Sequence, residues 1–492
     1  MHLGDILEDR FIIERAVGEG GMGAIYRARD IREDQAAAIK ILRGDTEPDT
    51  AALRFAREAR ALSSINHPGI VRYIAHGVTS AGDPYLAMEW VEGEDLSQRL
   101  ARMGALTVAE TIAIARGVAE ALGEAHARGV LHRDIKPQNL ILPASDVSRV
   151  KVADFGIAKL EAQSRTITAK GSFVGTPAYA APEQVRDEAE ASPRVDVFSL
   201  GCVLFECLTG RPVFSGESVM AIFAKVLFEE VPHIGDLRRD VPQPLGDLLA
   251  RMLSKNPGER PADGAAVAAE LAGLDLSLGP STPWPPPALT ASEQRVVSVV
   301  VARPPATSRS EPTPPGEVVS GVYERLQSIG EPFSAHVERL ADGSAIAALV
   351  GRGTATDQVA QAARCALALR SAMPDARVAV ATGRSVVDKR LPVGDVIDRA
   401  VRLLATGDAA PPRGTFEGPR PIRLDDVTAT RLASTSAASP DRLSCSRSGT
   451  PKRRGARCWA SRRRASGAIR SSPCSRGSLA SASMNPWRAR CW

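Results

Sequence analysis

The sequence predicts an α+β chain with more than one domain. A glycine-rich strand–turn–strand, "FIIERAVGEGGMGAIYRARD", opens the chain, and long apolar helices such as "RVDVFSLGCVLFECLTGRPVF" follow it. After a Pro-rich stretch, the β-rich run "RVVSVVVA" precedes an amphipathic helix, "ATDQVAQAARCALALRSAM". Strands followed by helices indicate an α+β first part, and the later strand–helix alternation indicates a smaller α/β second part.

Composition sets the broad class. The 492 residues are enough for about two to four domains, and the 44% hydrophobic content is ordinary for globular proteins. No run approaches the roughly 18 apolar residues of a membrane span, and "MHLGDILEDR" lacks a signal-peptide pattern. Only Cys202, Cys207 and Cys365 precede the last segment of the chain, too few for a disulfide framework. We therefore expect a cytoplasmic protein without a membrane partner.

Four polar residues, in "HRDIKPQN" and "DFG", have the order and spacing of a phosphoryl-transfer site. This chemistry needs a carboxylate near the acceptor hydroxyl, cations on the phosphates and ligands for magnesium. Asp134 can accept the hydroxyl proton, and Lys136 can reach the transferring phosphoryl group. Asn139 and Asp154 offer hard oxygen ligands suited to Mg²⁺.

Because of these residues and the motifs around them, the chain resembles the protein kinases. Within that family it resembles the bacterial serine/threonine kinases of eukaryotic type. "GEGGMGAIY", "AAAIK", "HRDIKPQN", "DFG" and "APE" occur in that order. A glycine-rich motif alone is weak, but the ordered co-occurrence of all five motifs is specific. The resemblance covers about the first 275 residues. It implies a two-lobed kinase fold, ATP with Mg²⁺ or Mn²⁺ as cofactors, and transfer to Ser or Thr of protein substrates in bacterial signalling.

The resemblance also assigns residues to the nucleotide. Lys40 would hold the α and β phosphates and pair with a glutamate on a helix, which we place at Glu58; the alternative for Glu58 is a solvated surface charge. Met88 matches the gatekeeper. The residues implied to contact ATP are Gly18, Gly20, Gly23, Ala38, Lys40, Glu89 and Val91.

Further matches concern the support of the site and its regulation. His132 matches an architectural residue, and we expect His126 to be structural as well. An arginine beside the catalytic aspartate can pair with a phosphorylated activation-loop residue. We expect that loop to be autophosphorylated, while Thr176 would face the substrate. The supporting residues are Arg133, Asp196, Glu183 and Arg260, the last two as a buried ion pair, and the activation-loop residues are Thr166, Thr168, Ser172 and Thr176.

The second part resembles a degenerate nucleotidyl cyclase domain with a ferredoxin-like α/β fold. In "VGDVIDRAVRLL", Asp398 stands where active cyclases have an asparagine, and Arg402 matches their transition-state arginine. Asp342 can match one metal-binding aspartate, but the first strand, "VVARPP", supplies no carboxylate. One of two carboxylates makes a poor two-metal site. We therefore expect a regulatory or packing role.

The last segment is strongly basic. From Ala437 to Trp492 the chain has 13 Lys and Arg and one Asp, a net charge of +12, so the remainder carries −7 of the overall +5. Four of the seven cysteines and three of the five tryptophans also lie there. Three interpretations remain: a nucleic-acid-binding tail, a disordered linker, and an out-of-frame translation, which we favour.

The predicted organisation is thus a kinase domain at 9–275, a Pro-rich linker at 276–294, a degenerate cyclase-like domain at 295–436 and a disordered basic tail at 437–492. A homodimer of kinase domains is one option for assembly, and we do not expect nucleic acid as a partner. The alternatives are a pseudokinase scaffold, a cyclase with a kinase-like regulator, and a nucleic-acid-binding protein acting through its tail.

Overall fold

The computed structural model describes eleven stretches of the chain: residues 1–20, 23–42, 59–155, 176–186, 192–274, 293–305, 325–350, 355–387, 394–405, 421–433 and 443–445. By its internal contacts the chain divides into two compact units, Met1–Gly449 and Thr450–Trp492. All described residues lie in the first unit. Most of the predicted linker and nearly all of the predicted basic tail fall outside the described residues.

Within the described residues, an antiparallel sheet of six strands forms the first lobe. Its strands are β1 (Ile6–Leu7), β2 (Phe11–Gly20), β3 (Gly23–Asp30), β4 (Gln35–Leu42), β5 (Tyr73–Val78) and β6 (Pro84–Glu89). They lie in the order β1-β2-β3-β4-β6-β5. Because side chains alternate along a strand, one face can bury Phe11, Ile13, Ile39 and Tyr85.

The second lobe is helical. Its helices are α1 (Leu96–Met103), α2 (Val108–Ala127), α3 (Pro182–Arg186), α4 (Arg194–Thr209), α5 (Val219–Phe228), α6 (Ile234–Leu237), α7 (Gln243–Met252) and α8 (Gly264–Ala272). Thr107 and Glu110 form a capping box that starts α2. Nearly all of α4 is buried, and it ends at Gly210 in the left-handed conformation. The predicted arrangement of a strand-rich lobe followed by a helical lobe is confirmed.

A small antiparallel sheet between the lobes positions the two loops that hold Asp134 and Asp154. It consists of β7 (Gly93–Asp95), β8 (Leu140–Pro143) and β9 (Lys151–Val152) in that order. The segment that holds Asp134 leads into β8, and Asp154 lies two residues after the end of β9. Pairing of β8 with β9 therefore brings the two predicted chemical motifs side by side.

A second sheet follows the helical lobe. Its strands are β10 (Glu293–Arg303), β11 (Ala335–Arg339), β12 (Ala345–Val350), β13 (Arg377–Val387), β14 (Ile422–Leu424) and β15 (Leu443–Cys445), and its helices are α9 (Ala355–Ala372), α10 (Gly394–Ala405) and α11 (Asp426–Ala433). The described strands lie in the order β11-β12-β10-β13-β14-β15. The first four pair antiparallel, and the last two add in parallel. Because β15 pairs with β14, the sheet extends beyond the predicted domain end at Ser436.

Both faces of β10 are covered. Val300 packs on the side of α9, whereas Val299 and Val301 pack on the side of α10. The core on the α10 side is continuous with the core of the helical lobe, since one hydrophobic cluster runs from α4 and α5 to Ile397 and Leu404. The predicted linker therefore does not separate two independent cores.

Of the helices that the structure describes, none combines the length and the apolar character required to cross a membrane.

Candidate active site

Lys40 and Asp154 meet in the cleft between the lobes. Lys40 lies on β4, paired in register with Ile25 on β3 and Leu86 on β6, so the sheet fixes its direction. Its Nζ is 2.9 Å from Oδ1 of Asp154, and the two side chains are 18% and 25% exposed. A cation and a carboxylate from different lobes thus point into one partly solvated cleft.

Asp134, Lys136 and Asn139 form a second group in the same loop region. Nζ of Lys136 donates to Oδ2 of Asp134 over 2.8 Å. The amide nitrogen of Asn139 donates to the backbone oxygen of Asp134 over 2.8 Å. The 3₁₀ turn Pro137–Asn139 places these side chains on one side of the loop, so a carboxylate, an ammonium and an amide converge there.

A buried aspartate braces this loop from below. Asp196 on α4 is fully buried, and its oxygens accept from the backbone nitrogens of His132 and Arg133 over 2.8 and 2.6 Å. His126 Nε2 lies 2.9 Å from Oδ2 of the same carboxylate. Burial alone would favour the neutral acid, but these hydrogen bonds and charges hold the pKa of Asp196 below its ordinary value.

His132 is structural in this arrangement. Its ring is fully buried and lies 4.7 Å from the ring of Phe155. Its Nε2 is 2.8 Å from the backbone oxygen of Ala153, and its Nδ1 accepts from the backbone nitrogen of Asp134 over 3.2 Å. Burial lowers the pKa of His132, so the ring is neutral and links the two loops of the site.

Two residues at the site have strained backbones. Arg133 and Asp154 have φ of 62° and 58°, a left-handed conformation that non-glycine residues rarely adopt. Such strain persists only where surrounding contacts hold it, and it clusters at functional sites. Here it occurs in both loops of the site, at the residue before Asp134 and at Asp154 itself.

Gly23 is required by the geometry of the glycine-rich hairpin. Its φ is +142°, and an added Cβ would lie 1.9 Å from the backbone oxygen of Ile41. A Cβ on Gly18 would meet nothing within 4 Å. Gly20 ends β2, paired with Gly23, and the tip residues between them lie outside the described residues.

The strand leading from the first lobe to the second carries the predicted adenine contacts. Ala38 on β4 pairs with Met88 on β6, and Glu89 ends that strand. Val91 follows in the connection and is half-buried. A small cavity behind Met88 is lined by apolar residues together with Asp154 and Phe155.

Glu183 and Arg260 form a buried pair. Two hydrogen bonds, of 2.7 and 3.0 Å, join the guanidinium to the carboxylate. Arg260 also lies over the ring of Phe198 at 4.9 Å and donates to the backbone oxygen of Ser254. The helical lobe is thus joined across α3 and the segment before α8.

Several predicted positions cannot be placed. Glu58 and the activation-loop residues Thr166, Thr168 and Ser172 lie outside the described residues. Thr176 is described and immediately precedes the 3₁₀ turn Pro177–Tyr179.

The oxygen donors present suit a divalent cation. The amide nitrogen of Asn139 is directed to Asp134, so the amide oxygen is the atom left to accept a ligand. The carboxylate of Asp154 faces the same cleft through its contact with Lys40. Two hard oxygen donors with room for phosphate oxygens and water are what Mg²⁺ favours. Among the described residues, no group of three or more His, Cys, Asp or Glu could hold a metal alone.

A known protein family matches the part of the chain that holds this site. The family model described as "Protein kinase domain" matches residues 11–271, more than half of the chain. The chain belongs to the protein kinase family.

Several bacterial serine/threonine kinases are similar to this chain. The serine/threonine-protein kinase pkn3 of Myxococcus xanthus is 36% identical over 282 residues, 56% of this chain and 51% of the relative. PknL of Mycobacterium tuberculosis is 36% identical over 267 residues, 54% of this chain and 66% of the relative. The chain thus spans between about half and two thirds of the length of these curated relatives. The crystal structure of the Mycobacterium tuberculosis PknI kinase domain matches with 27% identity and a TM-score of 0.43, covering 56% of this chain and 100% of that one.

The residues singled out in the second part face the helical lobe of the kinase. Asp398 on α10 accepts from Nζ of Lys225 on α5 over 2.7 Å. Arg402 on the same helix pairs with Glu217, with a closest distance of 2.7 Å. Asp342 accepts from the backbone nitrogen of Ser344 and so shapes the turn between β11 and β12.

Sequence reasoning missed one residue next to the site. Gln184 follows Glu183 directly, and its Nε2 donates to the backbone oxygen of Arg133 over 3.2 Å. Its position behind the "APE" motif was visible in the sequence, but nothing in the sequence indicated this partner.

Proposed function

We propose that the chain is a serine/threonine protein kinase that transfers the γ-phosphoryl group of ATP to hydroxyl groups of proteins in bacterial signalling. The convergence of Lys40, Asp154, Asp134 and Asn139 in one cleft supports this proposal. Against a pseudokinase scaffold, the described part of the chain retains each of these groups in contact with another.

In this proposal each side chain has a distinct task. Lys40 and the glycine hairpin hold the phosphates, and the backbone at Glu89 and Val91 holds adenine. Asp134 accepts the hydrogen bond of the acceptor hydroxyl and orients it, while Lys136 neutralises charge beside it. Asn139 and Asp154 hold the magnesium or manganese ion, which when bound neutralises charge on the phosphate oxygens.

The test is phosphate transfer from radiolabelled ATP by the full chain. We expect label on the chain itself and on added basic protein, and loss of both in Asp134→Asn and Lys40→Met. Asp247→Asn is the matched control, because it removes a carboxylate that is 51% exposed on α7 and outside the site. A wild-type chain that binds ATP in calorimetry but transfers no phosphate would support the pseudokinase alternative.

We further propose that the activation loop is autophosphorylated at Thr166 or Thr168, with Ser172 as an additional site and Arg133 as the partner of the phosphate. Arginine beside a catalytic aspartate can form charge-assisted hydrogen bonds to a phosphate and so order a loop. Mass spectrometry should find the modification in active protein. Full activity with an unmodified loop would exclude it.

Proteins are the partners that this activity requires, and the cytoplasm is where we place it. That location supplies ATP and keeps thiols reduced, which fits the buried free cysteines Cys202, Cys207 and Cys365. A homodimer of kinase domains is a further proposal, which sedimentation velocity tests.

For the second part we propose a degenerate cyclase-like domain without cyclase activity. The sheet order of its first four strands, with β10 central, supports a ferredoxin-like fold. The engagement of Asp398 and Arg402 by the kinase lobe supports a packing role. Formation of cyclic nucleotide by the full chain with magnesium or manganese would contradict this proposal.

We propose a kinase domain at 9–275, a linker at 276–294, a cyclase-like domain at 295–436 and a tail at 437–492. The one change is that β15, from the start of the tail, belongs to the sheet of the second domain. For the segment beyond β15 we favour the interpretation that it is an out-of-frame translation. An open frame shifted by one base, continuing past this stop codon in the coding DNA, would support it, whereas salt-sensitive DNA binding lost on truncation at Ser436 would support a nucleic-acid-binding tail.

A further inference from the structure

The backbone of Arg133 is held from two sides. Its nitrogen donates to Oδ1 of Asp196 over 2.6 Å, and its carbonyl oxygen accepts from Nε2 of Gln184 over 3.2 Å. Arg133 is in a left-handed conformation that L-residues rarely adopt. It directly precedes Asp134, so any relaxation of Arg133 changes the direction of the Asp134 carboxylate.

The two supports differ in how they are anchored. Asp196 belongs to α4, the most buried helix of the lobe. Gln184 belongs to α3, a helix of 5 residues, which is too short to be stable by itself. Its first half is anchored within the kinase lobe by Glu183, which pairs with Arg260. In the second half of α3, Val185 is fully buried in the hydrophobic cluster of the lobe, and the polar end of the helix at Arg186 has a further anchor.

That anchor comes from the second domain. Arg186 at the end of α3 donates to both oxygens of Glu338 on β11, over 2.8 and 2.9 Å. The side chains of Glu338 and Arg186 are 2% and 19% exposed, so this bidentate pair is largely shielded from water and well defined in direction. The backbone nitrogen of Ala341 donates to the backbone oxygen of Val185 over 3.1 Å. The β11–β12 hairpin therefore holds the last turn of α3 through a side chain and through the backbone.

We propose that the β11–β12 hairpin positions the catalytic loop, with Glu338 acting on Asp134 through Arg186, Gln184 and Arg133. Glu338 is thus a positioning residue for the phosphoryl transfer proposed above, on which this inference rests. It lies in a domain outside the match to the kinase family. The consequence is that the second domain contributes to turnover although it touches no substrate.

A second set of contacts across the same boundary provides the comparison. Arg402 on α10 pairs with Glu217 just before α5, with side chains that are 49% and 65% exposed. This pair joins the same two parts of the chain but does not contact α3. Loss of the Arg402 pair tests docking in general, whereas loss of the Glu338 pair tests positioning through α3.

The experiment measures steady-state phosphate transfer by the full chain at varied ATP. For Glu338→Gln we expect kcat to fall about threefold to tenfold, the range reached by coupling through contiguous contacts. The KM for ATP should stay unchanged, because Lys40 and Glu89 lie on strands of the first lobe, away from α3. Arg402→Gln should leave both constants at the wild-type values. In a Gln184→Ala background, Glu338→Gln should have no further effect, because the link is already cut.

Folding is controlled by a second variant. Glu338→Gln removes the buried charge that Arg186 pairs with, so the neutral double variant Arg186→Gln/Glu338→Gln carries the test if the single variant melts early. Amide hydrogen exchange supplies a readout independent of activity. We expect residues 131–136 to exchange faster in the variant, with residues in α7 unchanged.

The outcomes separate the two levels of the proposal. A folded variant with wild-type kcat and wild-type exchange at residues 131–136 overturns the positioning role, while the kinase assignment stands. Equal losses in Glu338→Gln and Arg402→Gln also overturn it, because docking alone would then explain the effect. If the wild-type chain transfers no phosphate, the kinase assignment is overturned. If, in addition, amide exchange at residues 131–136 is the same in Glu338→Gln as in the wild type, the structural link from Glu338 to the catalytic loop is overturned as well.

Discussion

The ammonium of Lys40 lies 2.9 Å from the carboxylate of Asp154. The first residue is fixed by the sheet of the first lobe, and the second follows the small sheet between the lobes. This contact joins the two lobes across the cleft, and the backbone of Asp154 has a left-handed conformation. The predictions below depend on it and on the supports around it.

Replacing Lys40 by methionine should remove activity without unfolding the chain. The ammonium stabilises charge on phosphate oxygens, and loss of one such group typically lowers turnover about 100-fold or more. The pair with Asp154 is partly exposed, so the thermal midpoint should change little. Radiolabelled transfer and circular dichroism measure the two effects. A variant with transfer within a few-fold of wild type would remove Lys40 from the site.

The pair Glu183–Arg260 should dominate the stability of the helical lobe. Both residues are buried, at 5% and 3% exposure. Glu183→Gln should therefore lower the free energy of unfolding by about 3–5 kcal/mol, since the guanidinium is left uncompensated. The matched control is Arg251→Gln, which removes an exposed pair with Glu270 and should cost about 1 kcal/mol or less. Urea unfolding compares them, and equal shifts would contradict the prediction.

His132 should make stability depend on pH. Burial lowers the pKa of the folded imidazole below the ordinary 6.5. As pH falls below that value the unfolded chain takes up a proton and the folded ring does not, so stability decreases by up to about 1.4 kcal/mol per pH unit. The contribution of His132 to the free energy of unfolding is complete above pH 6.5. It is lost as the pH falls from 6.5 toward the lower pKa that the residue has in the folded protein. In His132→Gln, the urea midpoint of unfolding should change less between pH 7 and pH 5.5 than in the wild type. An equal change in both proteins would show that other groups cause the pH dependence.

Gly23→Ala should damage the glycine-rich hairpin. The substitution combines a positive φ with a Cβ 1.9 Å from a backbone oxygen, so the two strands must separate locally at a cost of about 1–3 kcal/mol. We expect weaker binding of a fluorescent ATP analogue. Gly273→Ala is the control, because its φ is not positive and its nearest neighbour would be 3.6 Å away. Equal nucleotide affinity in both variants would contradict the role of Gly23.

Sequence patterns were reliable where short-range order decides structure. The strand–turn–strand at the start, the helix that ends at Gly210 and the run "RVVSVVVA" all became the expected elements, because periodicity and terminal glycine depend on nearby residues. Boundaries were less accurate. The sheet gains β15 beyond Ser436 because pairing with β14 recruits it, and no local pattern reports such a partner.

The identity of the cleft residues was available from the sequence alone, because phosphoryl transfer requires particular residue types in a particular order and these are present from Gly18 to Asp154. The sequence could not indicate that α3 reaches the catalytic loop through Gln184, nor that Asp398 and Arg402 face the kinase lobe. Contacts of this kind depend on how distant surfaces pack, and one continuous hydrophobic core decided them. The residue types in the sequence therefore determined the chemistry of the cleft, whereas the contacts between the two domains were determined only by tertiary packing.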